Sequence, residues 1–102
     1  MVRSVSRYSE IVILSWGNDD AKAVFEGRSP RAVPTMILKR ARRILAQLNA
    51  AAVIGDMGSP PGNMLHKLKG TNTWAVRVNE QHRVTLQWTD EGPEEVRLGD
   101  YH

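Results

Sequence analysis

The stretch WAVRVNEQHRVTLQW, residues 74–88, decides the architecture. β-Branched and aromatic residues alternate with polar ones on both sides of Asn79-Glu80-Gln81, the pattern of two antiparallel strands joined by a tight connection. Trp74, Val76 and Val78 share one face of the first strand, and Val84, Leu86 and Trp88 take the inner face of the second. Successive strand side chains alternate sides, so Arg77, Arg83, Thr85 and Gln87 fall together on the opposite face.

Toward higher numbers, TDEGPEE reads as the next turn and VRLGDYH as a third strand of a meander, with Val96 and Leu98 pointing inward. Arg97 then joins Arg77 and Arg83 on the outer face. Neighbouring strands lie about 5 Å apart. Three guanidiniums that close would repel one another unless an anion or carboxylates sat among them, and Thr85 and Gln87 extend a surface suited to phosphate. An ordinary solvated sheet face is the competing reading of the same pattern. Tyr101 shares the parity of Arg97, with Asp100 and His102 beside it if the terminal backbone curls.

Toward lower numbers, KGTNT turns the chain back into MLHKLK, a short alternating strand. In it His66 shares the face of Leu68, which sets the imidazole toward the core if Leu68 packs there. GDMGSPPGN cannot continue a helix and separates the two halves of the chain. Before it, Met36, Ile37, Ala41, Ile44, Leu45 and Leu48 recur at helical spacing, while Lys39, Arg42 and Arg43 point elsewhere. Pro30 and Pro34 suit the entry to this helix, not its interior. GNDDAKAVFEG has an Asn-Asp-Asp start that caps a short helix ending at Gly27, and IVILSW suits a first strand. The predicted fold is therefore α+β in the order β-α-α-β-β-β-β, with a short extension over residues 1–10 and a single domain over 11–102.

Composition sets the limits of this reading. A chain of 102 residues with 41% apolar content has room for one core and no second domain. Fourteen Lys and Arg against eleven Asp and Glu leave a net charge of +3, enough to attract a polyanion without requiring one. The absence of Cys excludes a disulfide framework and a thiolate nucleophile. The apolar run from Ile11 to Leu14 is too short for a signal-peptide core or a membrane span, so a cytoplasmic life without membrane contact is expected.

Three histidines, His66, His82 and His102, supply the groups that exchange protons near neutrality. Cleaving an RNA phosphodiester through its own 2′-hydroxyl needs a base for that hydroxyl, an acid for the leaving 5′-oxygen and cations for the charge on the phosphorus oxygens. The nucleophile lies in the substrate, so no metal or cofactor is expected. Nor does any pair of His have the spacing of a zinc site.

SPPGNMLHKLKG, WAVRVNEQHRVTLQW and the closing VRLGDYH together resemble the HigB branch of the RelE/ParE toxin superfamily, and the resemblance runs over nearly the whole chain. It implies two helices packed on a small, mostly antiparallel sheet. It further implies a type II toxin, a ribosome-dependent mRNA endoribonuclease, with a helix-turn-helix antitoxin of HigA type as partner and the ribosome and mRNA as targets. Carried onto this chain, the resemblance makes His66, Asp100, Tyr101 and His102 the catalytic set. The histidines would share proton transfer, Tyr101 would position or stack on a base and Asp100 would orient a partner. Lys67, Lys69, Arg77, Arg83 and Arg97 are the candidate RNA and phosphate contacts. Lys39, Arg40, Arg42 and Arg43 of the basic helix are candidate ribosome contacts, with a solvated helix face as the alternative. Two other functions fit the same fold: a gyrase inhibitor of the ParE kind that does not use the acid–base set, and a non-toxic nucleic-acid-binding module.

Overall fold

Asn18 begins the first helix and fastens it to the sheet in the same few atoms. Its Oδ1 accepts from the Ala21 amide at 3.1 Å and from the Leu98 amide at 3.2 Å, and its Nδ2 donates to the Leu98 carbonyl at 2.9 Å. Helix α1 (Asp19–Phe25) follows, with Asp19 and Asp20 in the first turn where the helix dipole favours carboxylates. Gly27, at φ 89°, turns the chain away after the C-cap in the left-handed region that side chains disfavour. The computed structural model describes residues 13–100, so the expected extension 1–10, part of the expected first strand, Tyr101 and His102 lie outside the described residues.

Helix α2 (Leu38–Ala50) buries Leu38, Ala41, Ile44, Leu45 and Leu48 along one stripe. Met36, expected on that stripe, is 86% exposed. It sits in a 3₁₀ turn (Thr35–Ile37) ahead of α2, where three residues per turn throw the phase off, and Leu38 takes its place. The Pro-Gly segment after α2 forms two further 3₁₀ turns, Ile54–Gly58 and Pro61–Asn63. Fully buried Asn63 ties them together, its Nδ2 donating to the Met57 and Ser59 carbonyls at 3.1 and 3.2 Å. Among the described residues no helix is long and apolar enough to cross a membrane.

Four antiparallel strands, β1 (His66–Lys67), β2 (Thr73–Arg77), β3 (His82–Thr89) and β4 (Gly92–Asp100), lie side by side in chain order. The expected inward residues are inward: Val76, Val84, Leu86, Val96 and Leu98 pack with Val24 of α1 and Ile44, Leu45 and Leu48 of α2, while Trp74 and Trp88 flank that core. TDEGPEE is a turn only at Asp90 and Glu91, because β4 already starts at Gly92. The longer strand is accommodated by a bulge: Thr85 pairs with Arg97, Gln87 pairs with Glu94, and Glu95 takes a φ of 53° between them.

The expected first strand is reduced, within the described residues, to an edge pairing. Trp16 bridges Val96 in parallel, Leu14 N donates to Pro93 O at 2.8 Å, and Gly17 N donates to Val96 O at 2.8 Å. This segment covers the outer edge of β4, which would otherwise offer unpaired backbone groups to another chain.

Asn18→Ala removes a cap and both side-chain bonds to Leu98, and we expect a loss of about 2 kcal/mol. Asn18→Asp keeps the accepting oxygen and should cost less. Urea unfolding midpoints of the two variants at constant m-value check the order.

Candidate active-site cleft

The register of the sheet assembles the site. His66 pairs with Ala75, Ala75 with Thr85, and Thr85 with Arg97, so these four residues form one row running across all four strands on the face away from the helices. The next row along the strands holds Arg77 opposite Arg83, and Arg83 opposite Gly99. On the other side, Thr73 pairs with Gln87 and Gln87 with Glu94. Large polar side chains thus stand around positions occupied by Ala75 and Gly99. The result is a cleft of about 460 Å³ lined by His66, Leu68, Thr73, Arg83, Thr85, Gln87, Glu95 and Arg97, within the size range of small-molecule sites.

Parity had set His66 toward the core if Leu68 packed there. Instead both residues line the cleft, with Leu68 38% exposed. The strand is only two residues long, so no core contact dictates its face. Met64, in the left-handed region at φ 46°, turns the chain into β1, and its carbonyl lies 3.2 Å from His66 Nδ1. A carbonyl can only accept, so this contact assigns the Nδ1 proton and leaves Nε2 with the lone pair in the neutral ring.

Two arginines directly opposite one another are unfavourable on a sheet face. Arg83 and Arg77 resolve this by diverging. Arg83 Nη1 donates to the Asn79 and His82 carbonyls of the hairpin turn, whereas Arg77 Nη1 reaches the Met64 sulfur at 3.3 Å. Neither has a carboxylate partner among the described residues. Arg97 is held differently: its guanidinium lies 3.7 Å from Glu95, both about half exposed, an ion pair that solvent leaves weak. The Arg97 stem also passes close to Gly17, where an added Cβ would lie 2.5 Å from Arg97 Cγ and 2.9 Å from the Glu95 carbonyl.

Of the sequence-predicted residues, then, the structure brings His66, Arg83 and Arg97 to one cleft, with Arg77 in the adjoining row. Lys67 lies on the other face of β1, its ammonium 5.9 Å from the Trp74 ring centroid. Lys69 is exposed in the turn after β1 and does not line the cleft. Asp100 pairs with His82, two residues from Leu98 and on its core-side parity. Tyr101 and His102 lie outside the described residues. Glu95 and Thr73 are cleft residues the sequence reading missed. The bulge that aims Glu95 leaves no mark in the hydrophobic alternation, although Thr73 could have been found by extending the parity of Ala75.

The basic helix divides. Arg42 Nε donates to Val24 O at 3.2 Å and its Nη2 to Arg28 O at 2.9 Å, so this side chain bonds one carbonyl at the end of α1 and one in the segment after it. Arg40 and Arg43 reach the Pro-Gly segment, at Gly62 O and Asn63 Oδ1, over longer distances of 3.3 and 3.5 Å. Lys39 is exposed beside them and Met36.

A family model describing the RelE-like toxin HigB of type II toxin–antitoxin systems matches residues 12–102. Over 62 residues the chain is 39% identical to Toxin HigB-1 of Vibrio cholerae serotype O1, a stretch that covers 59% of this chain and 65% of that protein. The match thus spans just under two thirds of the length of that curated relative.

Because Arg42 serves the fold and Lys39 does not, Arg42→Ala should lower stability by about 1–2 kcal/mol while Lys39→Ala stays within about 0.5 kcal/mol of the parent. Chemical denaturation of the two variants side by side distinguishes these expectations.

Proposed function

Since the chain belongs to the HigB-like, RelE-like toxins of type II toxin–antitoxin systems, we propose that its cleft is the active site of a ribosome-dependent mRNA endoribonuclease that arrests translation. One observation carries this reading: an imidazole and two guanidiniums, His66, Arg83 and Arg97, border one cleft that Ala75 also lines. Such a constellation suits a phosphodiester, whose negative charge grows on the phosphorus oxygens as it is attacked.

In the proposed reaction the 2′-oxygen attacks the adjacent phosphorus and the bond to the 5′-oxygen breaks. His66 takes the 2′-hydroxyl proton at Nε2, consistent with the Nδ1 proton directed at the Met64 carbonyl. His102 returns a proton to the departing 5′-oxygen. The products are a 2′,3′-cyclic phosphate and a free 5′-hydroxyl. Arg83 and Arg97 bind the phosphate and neutralise its charge. Tyr101 stacks on or positions a base, and Asp100 orients a partner of the acid–base pair. No metal enters this scheme because the substrate carries its own nucleophile. The ribosome supplies the mRNA in an accessible conformation, with Lys39, Arg40 and Arg43 the candidate contacts to ribosomal RNA phosphates. A helix-turn-helix antitoxin of HigA type is the proposed inhibitor, and the cytoplasm, where ribosomes translate, is the proposed compartment.

His66→Gln is expected to lower mRNA cutting by about 10²–10⁴-fold, the usual contribution of a general base, and to relieve growth arrest while the variant still binds the antitoxin. Mapping 5′ ends of cellular mRNAs after induction provides the measurement. Undiminished cutting by the variant would overturn the role of His66. A DNA-damage response with intact messages would instead favour gyrase inhibition.

A further inference from the structure

Along the strand direction the cleft changes chemical character. Its Arg77–Arg83 end is cationic, Thr85 faces Arg97 in the middle row, and the far end is formed by the uncharged pair Thr73 and Gln87, with Glu94 opposite Gln87 on β4. Rows on the same face are about 7 Å apart, the scale on which a nucleotide separates its phosphate from its base.

Two polar groups, Thr85 in the middle row and Gln87 at the far end, have no side-chain hydrogen bond among the described residues. Thr85 is only 7% exposed and lines the cleft, yet its hydroxyl makes no hydrogen bond among the described residues. The Gln87 side-chain amide, also lining the cleft, makes none either. Buried polar groups are ordinarily paired, and an unpaired one costs free energy. The buried Thr85 hydroxyl is therefore explained by a ligand that completes it, and the half-buried Gln87 amide opens into the same cavity beside it. An amide offers one donor and one acceptor in a plane, the complement of a nucleobase edge. Leu68, partly exposed at the same end of the sheet, offers an apolar surface to the base's flat face.

We infer that the Thr73–Gln87 end of the cleft is a nucleobase subsite, in which Gln87 selects the base and the Thr85 hydroxyl bonds the sugar–phosphate next to it. The inference rests on the ribonuclease reading above and assigns the specificity of that same site. Gln87 is a specificity-determining residue and takes no part in proton transfer.

The test maps mRNA cut sites after induction of the parent chain, Gln87→Leu, Gln87→Glu and Thr85→Val. At one nucleotide position beside the cut, Gln87→Leu should weaken the parent's base preference about tenfold, the discrimination expected from one bidentate contact. Gln87→Glu, whose ionised side chain only accepts, should move the preference toward bases that present donors. Thr85→Val keeps the shape of the side chain and should reduce cutting about tenfold at every site. A structural role for Gln87 would change the amount of cutting without changing which base is chosen. An unaltered base distribution in Gln87→Glu and Gln87→Leu, or in whichever of them folds, overturns the subsite while leaving the ribonuclease reading intact. Failure of the parent chain to cut any message overturns both.

Discussion

The pairing of Ala75 with Thr85 and of Thr85 with Arg97 is the constraint on which the rest of the structure depends. Side chains alternate across a strand, so a slip of one residue in either pairing would send Arg83 or Arg97 into the core and Val84 or Val96 out into water. The hydrophobic effect forbids that exchange. Val76, Val84, Val96 and Leu98 are all essentially buried against the helices, and each is worth about 1.5–3 kcal/mol in that position. The energy that folds the sheet is thus the energy that orients its outer face, and no separate interaction needs to gather the arginines.

That outer face is finished by local devices at its margins. The Glu95 bulge lets Val96 stay inward while Glu94 still meets Gln87 two residues earlier. Gly17 lets the preceding segment run against β4 beneath the Arg97 stem, where any Cβ would collide with that side chain and with the Glu95 carbonyl. At the opposite margin, the left-handed turn at Met64 swings the short strand β1 over so that His66 closes the cleft. The arginines are steered by backbone carbonyls and a sulfur more than by carboxylates, which leaves their charge available to an incoming phosphate.

Much of this was legible in the sequence because it rests on period-two and period-3.6 patterns. WAVRVNEQHRVTLQW announced both its faces, and Asn18 with two following aspartates announced the start of α1. That Arg77, Arg83 and Arg97 share the outer face followed from parity alone, although only Arg83 and Arg97 line the cleft. What stayed hidden depends on geometry without periodicity. A bulge residue such as Glu95 needs a positive φ that glutamate does not advertise. The face of His66, a candidate from the resemblance, was misread because a two-residue strand has too few side chains to reveal it. Arg42 looked like its neighbours on the helix, and only the proximity of the end of α1 separates a structural arginine from the exposed Lys39. Met36 was misplaced because a helical stripe gives no sign of where 3₁₀ winding gives way to α.

The central claim is that one row of the sheet, from His66 through Thr85 to Arg97, receives the RNA backbone. Amide and arginine side-chain NMR shifts during titration with a short oligoribonucleotide, 2′-deoxy at one position to prevent cleavage, test it most directly. The account predicts that the largest perturbations fall on Thr85, Arg83, Arg97 and the His66 ring and weaken with added salt. Perturbations centred on Lys39, Arg40 and Arg43 with the cleft residues unmoved would contradict it.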